Sequence, residues 1–212
     1  MDFSRQKGIF NPKLYQTQIN LIGVGALGSF IALSLAKMGL NKISVWDGDK
    51  VEEHNLPNQF YRREDLEEFK VYALEDIIWK FAGVKIKAHP EYYRNQPLAG
   101  IVISAVDSMD TRKDIWVQIR RQRQIEFYLD VRMGGEVATI YAIKPSLERE
   151  FYEKSLYTSD EALHLPCTEQ SIIYTVLGVA CASASIVKKY LTGEPYPKEL
   201  QLDFKLQLVI KN

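Results

Sequence analysis

The stretch Gln18-Ile19-Asn20-Leu21-Ile22-Gly23-Val24-Gly25-Ala26-Leu27-Gly28 decides how the chain is read. Its first five residues suit a short strand, and they run without a break into three glycines spaced Gly23-x-Gly25-x-x-Gly28. In such a turn the first glycine reverses the chain, the second lets phosphates approach the backbone, and the third permits close packing of helix on strand. Helical spacing follows over residues 29 to 38, with Gly39 as its stop, so the amides at the helix start face an anion.

Working outward, a second strand at Ile43-Ser44-Val45-Trp46 closes on Asp47-Gly48-Asp49. Asp47 follows Gly28 by 19 residues, where a carboxylate accepts hydrogen bonds from ribose hydroxyls. That pairing weighs against the competing explanation, glycines that only pack a helix on a strand. The periodicity then predicts a helix over residues 64 to 81, a strand over 84 to 88, and a central strand at Ile101-Val102-Ile103-Ser104-Ala105-Val106, which ends in Asp107. A helix over 111 to 122 and strands over 127 to 131 and 137 to 143 complete the alternation, the last strand with an antiparallel option. Residues 144 to 170 lack periodicity, the length of a functional or mobile loop. An apolar helix over 171 to 191 is expected to be buried in the core or at a dimer interface, with Cys181 inside it as a small buried residue. The alternation over residues 200 to 210 predicts one half-exposed strand. The expected architecture is α/β and Rossmann-like: a single domain over residues 1 to 212, with a mostly parallel open sheet, helices on both faces and a C-terminal strand extension.

Composition narrows the function. The 212 residues carry 27 basic and 27 acidic side chains, a balance that gives no electrostatic case for nucleic acid or anionic lipid. Two cysteines and no C-x-x-C pair favour a reducing, cytoplasmic setting and lead us to expect no structural zinc. The N-terminal residues lack the apolar run of a signal peptide, and the most apolar later stretch falls short of the roughly 20 residues that span a bilayer.

The glycine turn alone does not separate NAD from ATP, and the decision falls on Asp47-Gly48-Asp49-Lys50-Val51-Glu52-Glu53-His54-Asn55-Leu56-Pro57-Asn58-Gln59. Its polar density suits a triphosphate and its metal. In order and spacing, four features resemble the ubiquitin-activating superfamily in its small bacterial form, the ThiF/MoeB/HesA-type adenylyltransferases. These are Ser4-Arg5-Gln6, the Asp47-x-Asp49-x-Val51 segment with Asn55-Leu56-x-x-Gln59, Lys70, and Asp107 with Arg112. The resemblance covers nearly the whole chain. It implies ATP-dependent adenylation of the C-terminal carboxylate of a ubiquitin-like or sulfur-carrier protein ending in Gly-Gly. It also implies Asp107 as the Mg²⁺ ligand, Lys70 paired with phosphate, Asn55 bonded to a phosphate oxygen, and Arg5 reaching into the partner's site in a homodimer. Each residue has a plainer reading: Asp107 as a helix cap, Lys70 on a solvated face, Arg5 in a frayed terminus.

Two departures stand out. Where the family usually carries an arginine one residue before Gln59, this chain has Asn58, and a neutral amide does not replace that charge. Arg62 or Arg63 is the expected substitute; if neither serves, the chain is a weakened nucleotide-binding recruiter of a ubiquitin-like protein. The second departure is the missing pair of C-x-x-C motifs. Cys167, in Pro166-Cys167-Thr168-Glu169-Gln170, matches the place where some members keep a sulfur-accepting cysteine; a small buried residue is the alternative. An NAD(P)-dependent oxidoreductase is disfavoured, because no tyrosine is followed four residues on by lysine.

Overall fold

The computed structural model describes residues 1–157 and 171–212. Eight strands form one open sheet in the order β3-β2-β1-β4-β5-β6-β7-β8. They are β1 Ile19–Ile22, β2 Ile43–Trp46, β3 Lys87–His89, β4 Gly100–Ser104, β5 Ile125–Gly134, β6 Val137–Ile143, β7 Glu199–Asp203 and β8 Leu208–Lys211. β1 to β5 run parallel, and β6, β7 and β8 are added antiparallel. β1 and β4 lie side by side, Ile22 opposite Ser104, although their crossovers leave in opposite directions. The turns that follow these two strands therefore open into one crevice, the usual ligand position in such sheets.

The central strands β1, β4 and β5 split their side chains between two cores. Ile19, Leu21, Ile101 and Ile103 face α1 (Ala26–Lys37), α2 (Lys70–Ala82) and α5 (Ile173–Thr192). Ile22, Val102 and Tyr128 face α3 (Met109–Ile119) and α4 (Arg149–Glu153), where Trp116 and Tyr152 are buried. Burying each such large apolar side chain contributes about 1.5–3 kcal/mol before chain entropy is counted.

Several element boundaries differ from the sequence expectation, four of them with a clear physical cause. α1 begins at Ala26, inside the glycine turn, so Gly28 belongs to the helix. α2 begins at Lys70 because residues 63 to 65 form a 3-10 turn, Glu67 takes a left-handed backbone (φ 66°), and Val51 exchanges backbone hydrogen bonds with Glu67 and Glu68. β3 is the short edge piece Lys87–His89, while Val84 and Ile86 feed the core ahead of it. The single C-terminal strand is a hairpin: Gln207 takes φ 55°, Asp203 accepts from the Leu206 amide, and β8 returns along β7 with every residue exposed.

α5 is also not buried all round. Val176, Val179, Ala180, Ser183, Ala184 and Val187 face inward with α1 as a neighbour, while Ile173, Leu177 and Cys181 form an exposed stripe. Cys181 is therefore a surface thiol, because its helical phase, not its size, sets its burial. Within the aperiodic stretch, α4 supplies Tyr152 to the second core. Among the described residues, no helix is long and apolar enough to cross a membrane.

Candidate functional site

Two of the three glycines meet a steric demand, and the third leaves a surface bare. Gly23 has φ +85°, and a Cβ there would stand 2.8 Å from the Ala105 carbonyl oxygen. A Cβ at Gly28 would lie 2.0 Å from the Gly23 carbonyl oxygen, so only glycine lets the first turn of α1 close on the loop. Gly25, the N-cap of α1, faces open space, with the Gln59 side-chain nitrogen 3.9 Å from the position of a Cβ. The exposed surface of the turn is thus bare backbone at a helix N-terminus, an arrangement that favours anions.

Asp47, at the end of β2, is 7% exposed. Its Oδ2 accepts from the Val24 amide at 2.8 Å and its Oδ1 from the Asp49 amide at 2.9 Å. Burial pushes its carboxyl up, against the pull of those amides and of Lys70. Tyr61 completes the brace by donating from its hydroxyl to the Val24 carbonyl at 2.6 Å. The ribose carboxylate expected from spacing therefore also fixes the glycine turn.

Asp49 and Lys70 form a pair. Lys70 Nζ lies 2.9 Å from Asp49 Oδ2, and the lysine side chain is only 8% exposed, so it is no charge on a solvated face. The Lys70 amide also donates to the Asp49 carbonyl. Tyr92 donates to the other Asp49 oxygen and lays its ring across Gly48, where a Cβ would stand 2.9 Å from the ring. Burial raises the Asp49 carboxyl, but Tyr92 and Lys70 outweigh it and hold the group below the usual range. The same hydrogen bond pushes the Tyr92 phenol up to about 12.

Farther along the loop, Asn55 is buried and accepts from the Glu52 amide, capping its own 3-10 turn. Asn58 donates to the Ser171 hydroxyl. Gln59 Oε1 is buried with no partner among the described residues, close to the open face of Gly25. Asp107 is exposed just past β4, in the loop whose Ala105 carbonyl underlies Gly23, and its charge is felt by the Tyr92 phenol. The structure thus gathers Gly23, Gly25, Gly28, Asp47, Asp49, Gln59, Lys70 and Asp107 at the crevice.

Arg5 is placed elsewhere. It is exposed in the N-terminal turns, and its neighbour Gln6 donates to the Met38 carbonyl at the C-terminal end of α1. The helix between that anchor and the glycine turn is about 18 Å long. Arg62 does not turn toward the phosphates: its guanidinium is held by Asp65 at 2.6 Å and Asp76 at 2.7 Å. Arg63 is exposed. Cys167 lies outside the described residues.

Sequence reasoning missed Tyr61 and Tyr92. The signal for Tyr92 was a side-chain-free Gly48 between two carboxylates, followed by an aromatic pair just past the third strand. Beside Asp47, the Trp46 ring stacks on His89 with centroids 3.6 Å apart, and the indole nitrogen finds no partner among the described residues.

A model of the ThiF family matches residues 5–208. The chain belongs to the ThiF family. Its curated relatives include the adenylyltransferase and sulfurtransferase MOCS3-1 of Zea mays, 32% identical over 109 residues, 47% of this chain and 23% of that protein. The ubiquitin-like modifier-activating enzyme 5 of Caenorhabditis elegans is 26% identical over 161 residues, 66% of this chain and 38% of the relative. The matches thus span well under half the length of these ThiF-family relatives. Among solved structures, PaaA superposes with a TM-score of 0.75 at 18% identity, covering 93% of this chain and 64% of that one. E. coli MccB, solved with ATP, gives 0.73 at 15% identity over 94% and 64%. These structural likenesses establish the ThiF fold.

Proposed function

We propose that the chain is an ATP-dependent adenylyltransferase that activates the C-terminal carboxylate of a ubiquitin-like or sulfur-carrier protein. The observation that carries this reading is the bare Gly25 surface at a helix N-terminus, with the Gln59 side chain beside it and the Lys70–Asp49 pair along the same crevice. A buried amide oxygen without a partner is costly, and the NH₂ of the same amide already lies toward the open face of Gly25, where it can donate to a phosphate oxygen. Membership of the ThiF family and the adenylyltransferase and activating-enzyme names of its relatives support the same reading.

In this mechanism the α1 N-terminus and Gln59 bind phosphate, Asp47 and Asp49 receive the ribose, and Asn55 holds the loop in register. A carboxylate oxygen of the carrier attacks the α-phosphorus, pyrophosphate leaves, and an acyl adenylate forms. Two anions must be held against each other, so positioning and charge neutralisation carry the catalysis. Lys70 supplies a fixed positive charge once phosphate competes for it with Asp49. Asp107, one carboxylate facing the crevice, fits a cation that takes most of its oxygens from phosphates and water. Mg²⁺ held there would neutralise charge building on the phosphates.

The active unit in this reading is a homodimer. Arg5 stands a helix length from its own glycine turn, so it serves a second subunit's site more readily than its own. Transfer from the adenylate to a thiol, with Cys167 as the candidate, is part of the proposal.

Titration with Mg-ATP, NAD and NADP, on the wild type and on Asp107→Asn, tests the reading. Preference for Mg-ATP that collapses in the variant is expected, and preference for NAD would overturn it. The observation that favours a second reading is the engagement of Asn58 by Ser171 and of Arg62 by Asp65 and Asp76, which leaves the family's arginine position without an evident replacement. An arginine at a phosphoryl transition state can be worth on the order of 10³-fold. ATP binding without carrier-dependent pyrophosphate exchange would identify the chain as a recruiter.

A further inference from the structure

We infer that Asp130 is a positioning residue for Asp107, acting through Arg112; the inference rests on the reading of Asp107 given above. Asp130 is fully buried on β5, directly opposite Ser104, the last residue of β4. The loop that carries Asp107 leaves the sheet from that point. Arg112, 3% exposed on α3, directs its side chain back beneath this loop. Its Nε donates to Asp130 Oδ1 at 2.6 Å, its Nη2 to the Val106 carbonyl at 2.6 Å, and its Nη1 to the Ser108 carbonyl at 3.5 Å. One guanidinium thus holds the peptide carbonyls on both sides of Asp107, and one carboxylate holds the guanidinium.

The far side of Asp130 is equally committed. Its Oδ2 accepts from Arg132 Nε at 2.7 Å and from the Tyr152 hydroxyl at 2.9 Å. Arg132 in turn donates to the carbonyl and hydroxyl oxygens of Ser155. A buried ion pair is weak evidence for stability, because desolvation offsets most of the attraction, and its best use is to specify geometry. Here the geometry specified is a planar fork against the two loop carbonyls, with Nη2 also donating to the Val131 carbonyl of β5 at 3.3 Å.

The test is calorimetric titration of Mg²⁺ into the full chain with ATP bound, together with ATP titration in the absence of metal. Asp130→Asn keeps the shape and removes the charge. The expected result is about a tenfold loss of Mg²⁺ affinity, as for other groups that orient a metal ligand, with metal-free ATP affinity unchanged. Arg132→Met, which leaves the Asp130–Arg112 arm in place, should bind Mg²⁺ as the wild type does. Wild-type Mg²⁺ affinity in Asp130→Asn, or equal losses with and without metal, overturns the inference. Arg112→Lys keeps the charge opposite Asp130 but loses the fork; if Asp130→Asn does not fold, the same tenfold loss is expected there, and unchanged affinity overturns the inference. A wild type that binds no Mg-ATP overturns the adenylyltransferase reading, and the positioning role falls with it.

Discussion

A methyl group at Gly28 would press on a backbone oxygen that cannot move aside, whereas one at Gly25 would meet only the Gln59 side-chain nitrogen, at an ordinary contact distance of 3.9 Å. Gly28→Ala should therefore cost about 3 kcal/mol or more in urea unfolding. Gly25→Ala should fold normally yet bind ATP about tenfold more weakly, a difference of 1.4 kcal/mol, because its methyl stands where phosphate approaches. The three glycines were legible from spacing because Gly23 takes a positive φ and Gly28 packs on the Gly23 carbonyl within the same turn, although the Ala105 contact at Gly23 lies far along the chain. Tyr92 and the Lys70–Asp49 pair were less so: their partners lie 43 and 21 residues apart in the chain. The sign of that pair's pH dependence follows from the depressed Asp49 carboxyl. Its contribution is present above the ordinary carboxylate range and is lost as pH falls through the lower folded-state value. Asp49→Asn should be less stable than wild type near neutral pH, and the gap should narrow as pH falls below about 4 in urea titrations.

At the scale of elements, periodicity located the helices and most strands, and it erred at their ends. It extended α2 into a 3-10 turn because Glu64 and Asp65 have the composition of a helix start, but Asp65 spends its carboxylate on the Arg62 amide and guanidinium. It merged β7 and β8 because apolar alternation continues through the turn at Phe204 and Leu206. What docks that hairpin is a contact no local pattern announces, the Phe204 ring against the bare backbone of Gly178 on α5, where a Cβ would stand 2.3 Å from the ring. Gly178→Val should evict the ring and speed amide exchange along β8. The β7 amides bonded to β6 should stay protected, an outcome readable by hydrogen exchange.

For the whole molecule, the open, mostly parallel sheet with helices on both faces followed from strand and helix alternation, while the strand order and the separation of the N-terminal turns from the glycine turn by the length of α1 did not. A mixing experiment tests the proposed division of the site between two subunits. Arg5→Ala and Asp107→Asn should each be inactive alone, while an equal mixture regains about a quarter of wild-type turnover, because half the dimers are mixed and each has one intact site. If every site used its own Arg5, the mixture would stay silent.

The stacking of Trp46 on His89 beside Asp47 gives the protein an intrinsic optical reporter. Trp116 is buried in the second core and Trp79 is exposed on α2, so replacing both by phenylalanine leaves one indole whose emission is sensitive to its imidazole neighbour. Burial and the nearby Lys87 hold that imidazole below its usual range, so it stays neutral and a weak quencher down to mildly acidic pH. Light emitted from this position would follow occupancy of the crevice in real time, without a label and without knowledge of the carrier.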